Sequence, residues 1–308
     1  MTTRYAGRTA LLAALFTLMP LHGWAEPNLI KLAEGVFGIK GPGGTINTGL
    51  VVGDRGVFVY SCSADDYDQR VQLIRSVAGG RPIRYVANGH YAGDDTMCNH
   101  LFAEQGAVVL GSKELARQLL PYWPKRVEEE LRRGRVKKEY LLGKKVEMAM
   151  PVITFEDKVT LDLGSHVVEL TYVGKAHTPD NTIAYLPKER ILFVNDLLFV
   201  ELHPTADARS DTMNWQRVLR KLATWPVETV VPGHGAFAPG NGTKPLLEMD
   251  RYFETMRAKV RAMKGAGKSL DEIKRGIRAE LGDFARWPRE GAIPGTAEQL
   301  YRELTARP

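Results

Sequence analysis

Val86-Ala-Asn-Gly-His-Tyr-Ala-Gly-Asp-Asp-Thr-Met-Cys-Asn99 is the stretch on which the reading of this chain turns. An apolar run, Ile83 to Ala87, stops abruptly at Asn88-Gly89, and the segment beyond it gathers one imidazole, His90, and two carboxylates, Asp94 and Asp95, within six residues. A strand that ends in a short polar loop, followed by a helix, presents such side chains at the edge of a sheet, where metal ligands and catalytic groups collect.

Three more stretches carry the same layout. Gly174-Lys-Ala-His-Thr-Pro-Asp-Asn181 follows the strand-like run His166 to Val173, Ile191-Leu-Phe-Val-Asn-Asp196 is a strand ending in an aspartate, and Val230-Val-Pro-Gly-His-Gly235 is a strand ending in a histidine. Together with the first segment they resemble, in order, the metal-binding loops of the metallo-β-lactamase superfamily, whose first loop reads His-x-His-x-Asp-His. His90 and Asp94 match that signature. Ala92 stands at the second histidine and Asp95 at the third.

The resemblance covers about residues 28 to 240 and implies an α/β (α+β) fold, the four-layer αβ/βα sandwich with its site at one edge of two packed sheets. It implies metal ligation by His90, Asp94, Asp95, His177, Asp196 and His234, with Asp196 bridging two positions and Asp94 orienting or deprotonating the attacking water as the catalytic group. The first position is then one imidazole short, and the second is rich in carboxylates. Zinc is the expected metal, as one ion or two, while the carboxylate-rich position would also suit manganese or iron. A further departure is Ser61, where the family usually has an aspartate supporting a ligand imidazole. His100 is a lesser candidate and is expected on the surface.

The order of elements agrees with that fold. Strand-like runs Ile30 to Leu32, Val36 to Ile39, Asn47 to Val52 and Gly56 to Tyr60 are separated by turn residues, and Val71, Leu73, Ile74 and Val77 approach helical spacing before the strand Ile83 to Ala87. Lys158 to Leu163 pairs with His166 to Val173 across Gly164-Ser165. From Leu246 the pattern is helical, with a break at Gly265-Ala-Gly267 and a capping box, Ser269 to Glu272, opening a last helix that ends near Gly282. Three segments are expected: 1–25 a signal peptide, 26–245 the metal-binding domain, 246–308 a helical extension.

The leader has Arg4 and Arg8, an apolar run from Thr9 to Pro20 and a small-residue end at Ala25. That run is shorter than the ~20 residues a spanning helix needs, so cleavage, a periplasmic or secreted mature protein and no lasting membrane anchor are expected. An oxidising compartment would permit Cys62 and Cys98 to pair, and no Cys-x-x-Cys motif supports thiol redox chemistry. Two of the six net positive charges lie in the leader, and the basic run from Lys125 to Lys145 has no aromatic residue before Tyr140, which argues against nucleic acid as partner. A small-molecule ester, lactone, thioester or lactam cleaved by metal-activated water is the expected substrate. A non-catalytic binding protein that keeps the cleft is the competing expectation, and the oligomeric state is left open.

Overall fold

The computed structural model describes residues 27–63, 66–132 and 149–306. The expected signal peptide and most of the basic run lie outside these residues. A seven-stranded sheet runs in sequence order through β1 (Asn28–Ala33), β2 (Val36–Lys40), β3 (Thr48–Gly53), β4 (Gly56–Tyr60), β5 (Ile83–Ala87), β6 (Val108–Ser112) and β7 (Ile153–Phe155). The first four form an antiparallel meander. From β4 onward neighbours are parallel, so each crossover carries helix: α1 (Tyr67–Ala78), the short turns α2 (Gly93–Thr96) and α3 (Asn99–Ala103), and α4 (Lys113–Arg132).

The second sheet has order β12-β11-β10-β9-β8, from β8 (Lys158–Asp162), β9 (Val167–Gly174), β10 (Asn181–Leu186), β11 (Ile191–Phe199) and β12 (Thr229–His234). Its only parallel pair, β11 with β12, is joined through α5 (Thr212–Ala223). The C-terminal segment adds α6 (Lys244–Gly265), α7 (Leu270–Gly276) and α8 (Ile293–Ala306). The capping box is present: Glu272 N donates to Ser269 Oγ at 3.3 Å, and Ser269 N donates to Glu272 Oε2 at 2.8 Å.

Strand alternation explains the layering. Along β4, Phe58 and Tyr60 point into a core shared with Leu170, Ala184, Phe193 and Val231 of the second sheet, whereas Val57 and Val59 point to the other face, against Val71 and Ile74 of α1 and Phe102 of α3. Burial on both faces is what makes the strand read as a continuous apolar run. On the far side of the second sheet, Leu192 and Val230 meet Trp215 and Leu219 of α5, Phe253 and Met256 of α6 and Leu300 of α8. The result is the expected four-layer αβ/βα sandwich, and the C-terminal helices share the core of its last layer.

Two helices were not expected. Helix α5 has its apolar residues at Trp215, Val218, Leu219 and Leu222, a helical stripe buried on the sheet. Helix α8 extends the chain well past Gly282, and Glu303 anchors it by accepting from Thr212 N at 2.8 Å and Arg257 Nη1 at 3.0 Å. No described helix is long and apolar enough to cross a membrane.

Candidate metal centre

The ends of β5, β9 and β12, with the loops that follow them, and the stretch of β11 around Asp196 meet at one edge of the two sheets. His90, His177 and His234 are buried there, with the Asp196 carboxylate between them. Asp196 Oδ2 lies 3.7 Å from His90 Nε2 and 3.5 Å from His177 Nε2, and Asp196 Oδ1 lies 3.2 Å from His234 Nε2. Asp94 Oδ2 approaches His234 Nε2 to 3.8 Å from the half-exposed rim. Two sets of ligand atoms are thus close enough to hold a metal ion: His90, His177 and Asp196, and Asp94, Asp196 and His234.

The far nitrogen of every imidazole is occupied. His90 Nδ1 faces Asp95 Oδ2 at 3.1 Å, His177 Nδ1 faces the Thr205 carbonyl at 2.9 Å, and His234 Nδ1 faces the Gly44 carbonyl at 2.8 Å. Each partner is an acceptor, which places the proton on Nδ1 and aims the Nε2 lone pair at Asp196. Asp196 Oδ1 is buried and has no hydrogen-bond donor near it other than His234 Nε2, 3.2 Å away. A lone pair facing a carboxylate oxygen in a buried site leaves both atoms short of a partner unless a proton or a metal ion sits between them. The donor set, with nitrogen in both groups and carboxylate oxygen as the shared ligand, fits a transition metal.

Asp95 does not join either group, contrary to the expectation that it is a ligand. Its Oδ2 accepts from His90 N at 2.8 Å, from His90 Nδ1 and from Asn195 Nδ2 at 3.1 Å, and Asn88 Nδ2 approaches Oδ1 at 3.3 Å. A carboxylate is too short to reach the centre from a backbone that folds around it this way, so it supports His90 instead. The supporting charge missing at Ser61 is therefore supplied from the neighbouring loop. Ser61 Oγ still takes part, accepting from Asn195 Nδ2 at 2.8 Å, while Asn195 Oδ1 accepts from Asp196 N at 2.6 Å. Exchanging Asp95 for asparagine puts an amide against donors and is expected to weaken zinc binding by roughly 10–100-fold. Competition titration against a chromogenic chelator measures this, and an unchanged Kd would remove Asp95 from the supporting role.

Asn195 was missed at the sequence level, although it adjoins Asp196. It adopts φ 49°, and glycines on two sides make room for it and its neighbour: a Cβ on Gly89 would lie 2.2 Å from the Asn195 side chain, and one on Gly233 would lie 2.3 Å from Asp196 Oδ1. His100 is buried rather than exposed and lies outside both ligand groups. Cys62 and Cys98 form a disulfide with Cα atoms 6.1 Å apart, and Cys62 N donates to the Asp95 carbonyl at 3.4 Å.

Charge follows from this geometry. Burial opposes the charged imidazole of His90, but the Asp196 and Asp95 carboxylates overcome it and raise its pKa to about 10. For His177 burial wins over Asp196, with the His90 charge adding to it, and the pKa falls to about 4. His234 is raised, burial and Arg289 being outweighed by Asp196 and Asp94. Asp196 itself, despite burial, is held well below the usual carboxylate range by the three imidazoles. In the metal-free protein the raised pKa of His90 stabilises the fold fully below its ordinary 6.5, and the contribution is lost as pH rises through about 10. Because ligation needs neutral imidazoles, zinc uptake at pH 7 is expected to release about one to two protons, by displacement from His90 and His234. Calorimetry in buffers of different ionisation enthalpy reads that number, and zero release would contradict the assignment.

Buried imidazoles around a shared carboxylate, at the edge of an αβ/βα sandwich, define a candidate metal centre. The sequence profile of the metallo-beta-lactamase superfamily matches residues 41–234, and the chain belongs to that superfamily. It is 32% identical over 102 residues to a metallo-beta-lactamase type 2 of Bacteroides fragilis, a match spanning 31% of this chain and 40% of that protein. The aligned part is therefore less than half of that relative's length. Among solved structures, the metallo-beta-lactamase from Pontibacter korlensis superposes with TM-score 0.56 at 18% identity, over 73% of this chain and 99% of that one. A double mutant of the sec-alkyl sulfatase PisA1 superposes with TM-score 0.68 at 15% identity, over 92% of this chain and 51% of the other. At such identities these structures show a common fold.

Proposed function

We propose that this protein is an exported metallohydrolase with an altered metal site, which opens an ester, lactone, thioester or lactam using metal-activated water. The observation that carries the reading is the convergence of three Nε2 atoms on the Asp196 carboxylate, each imidazole fixed from behind by an acceptor.

His90, His177 and Asp196 would hold zinc, the nitrogen-rich set being its natural choice, while Asp94, Asp196 and His234 form a harder and weaker second position that also suits manganese or iron. When bound, the metal supplies an acidified water and Lewis-acid polarisation of the scissile carbonyl. Asp94, whose side chain is 35% exposed, faces the solvent side of the centre. Its Oδ2 would take the proton as the water oxygen forms its bond to the carbonyl carbon, and return it to the leaving oxygen, sulfur or nitrogen as the bond between that atom and the carbonyl carbon breaks. The imidazoles keep their Nδ1 protons throughout, because each is committed to a protein oxygen. Export is supported by the charged and apolar leader and by the pairing of Cys62 with Cys98.

The test combines elemental analysis of the mature protein with a panel of activated esters and lactones. About one transition metal per chain is expected, with hydrolysis lost to a chelator and restored by zinc. Hydrolysis that survives complete removal of metal would refute the reading.

A further inference from the structure

Beside His234 the protein has a cavity of about 550 Å³. It adjoins the metal centre through Gly44, whose carbonyl holds His234 Nδ1, through Val200, whose N–H donates to the His234 carbonyl at 3.0 Å, and through Gly235. Its outer wall comes from the C-terminal segment, beyond residues 41–234: Trp287 and Pro288 line it together with Leu202 and Val200. The body of a ligand there would meet apolar surface at Val200, Leu202, Trp287 and Pro288.

Four charged residues also line the cavity. Lys40 and Arg286 are matched in number by Glu201 and Asp283, so the lining itself is neutral. The surplus charge is Arg289, next to Pro288. Its guanidinium carbon lies 5.1 Å from the centre of the Phe199 ring, and Phe199 stacks flat on His234, with ring centres 5.0 Å apart and planes at 11°. The guanidinium is thus one ring removed from a ligand imidazole. Among the described residues no ion pair or side-chain hydrogen bond engages it, whereas Arg251, Arg257, Arg278 and Arg302 of the same C-terminal segment are ion-paired. An exposed arginine that is held by an aromatic face, and keeps all its N–H donors free, is prepared for a planar or tetrahedral oxyanion.

The backbone points to the same place. Among the described residues five non-glycine positions have positive φ, and four of them, Ser61, Asn195, Glu201 and Arg289, flank the centre or this cavity. A left-handed arginine costs energy that an unconstrained surface residue would shed, and such strain gathers at ligand clamps.

We propose that Arg289 anchors an oxyanionic group of the substrate, a carboxylate or a sulfate, while the substrate's apolar body lies along Trp287, Pro288 and Leu202. The substrate is then an amphiphilic monoanion, and the C-terminal segment selects it. This refines the hydrolase reading and rests on it for the word substrate.

The test has a binding arm and a kinetic arm, both on the zinc-loaded protein. Calorimetry compares octanoate, octyl sulfate and octanol on wild type, Arg289→Ala and Arg289→Lys. Wild type is expected to prefer an anion over octanol, and Arg289→Ala to lower the affinity for that anion about tenfold with octanol unchanged, Arg289→Lys keeping part of the preference because charge without the planar fork is a poorer match. A preference confined to octyl sulfate assigns the group as a sulfate, and one confined to octanoate as a carboxylate. In the kinetic arm, Arg289→Ala should raise KM for mono-4-nitrophenyl glutarate about tenfold while leaving kcat, and both constants for neutral 4-nitrophenyl butyrate, in place. Equal anion binding by wild type and Arg289→Ala, with unchanged melting temperature, overturns the proposal. If wild type cleaves neither ester but Arg289→Ala still loses its grip on the anion, the anion site stands and the hydrolase reading falls.

Discussion

Replacing Asp196 with alanine is expected to leave the protein without bound metal and without hydrolytic activity in a single step. Asp196 is the one side chain common to both ligand groups, with oxygens 3.2 to 3.7 Å from three imidazole nitrogens. Its loss leaves two nitrogen ligands at one position, and one imidazole with one half-exposed carboxylate at the other, neither of which completes the three protein ligands of a catalytic zinc site. The effect should exceed the roughly 10–100-fold cost of losing an outer partner such as Asp95. His90 and His234 would lose the chief charge that raises their pKa values, so they would be neutral nearer pH 7. Poor metal retention would then follow from missing ligands and not from proton competition. Metal content by elemental analysis and turnover of an activated ester, beside a melting curve that shows the fold intact, make the comparison. A variant that retains one metal per chain and the wild-type rate would displace Asp196 from the centre.

The second large effect concerns stability. The Cys62–Cys98 disulfide closes a loop across 36 residues, which contains α1 and β5. Restricting the unfolded chain by a loop of that length is worth about 4 kcal/mol in the chain-entropy account. Substituting both cysteines by serine is therefore expected to lower the unfolding free energy by up to about that amount, with most of the shift reproduced by reduction of the wild-type protein. Denaturant unfolding with and without reductant measures it. The loss should also reach the metal centre, because Cys62 N donates to the Asp95 carbonyl and Asp95 fixes His90. A reduced protein as stable as the oxidised one would show that the loop is already ordered when unfolded.

Much of the fold was legible because its strands are buried on both faces and broken by turn residues. The runs Val36 to Ile39, Gly56 to Tyr60 and Ile83 to Ala87 lie within or coincide with β2, β4 and β5. Helix α5 carried an equally clear signal in Trp215, Val218, Leu219 and Leu222. Helix α8 did not, since it opens on Ile293-Pro-Gly-Thr, and proline and glycine read as a turn when nothing in the local sequence shows the core they pack on. At the centre, His90, Asp94, His177, Asp196 and His234 are brought close together, with Asp196 inside β11, which runs on to Phe199, and not at its end as expected. Asp95 misled because sequence position does not reveal reach: the same carboxylate two bonds from the backbone can face the centre or the back of His90, and the fold of α2 chooses the latter. Arg289 lay beyond any motif, since its place depends on how the C-terminal segment packs against Phe199.

Neither group of ligands belongs to one half of the chain. His90 and Asp94 come from the first sheet's loops, and His177, Asp196 and His234 from the second's, so each group draws on both. Order of assembly follows from that division. A growing chain has no complete metal position until β11 has docked with the second sheet against the loops of the first, and the second position also waits for β12, so the ion is acquired after the two sheets have come together and takes no part in nucleating either one. Maturation then has two separable stages, folding first and loading second, and the metal available where the second stage occurs decides which ion the protein carries.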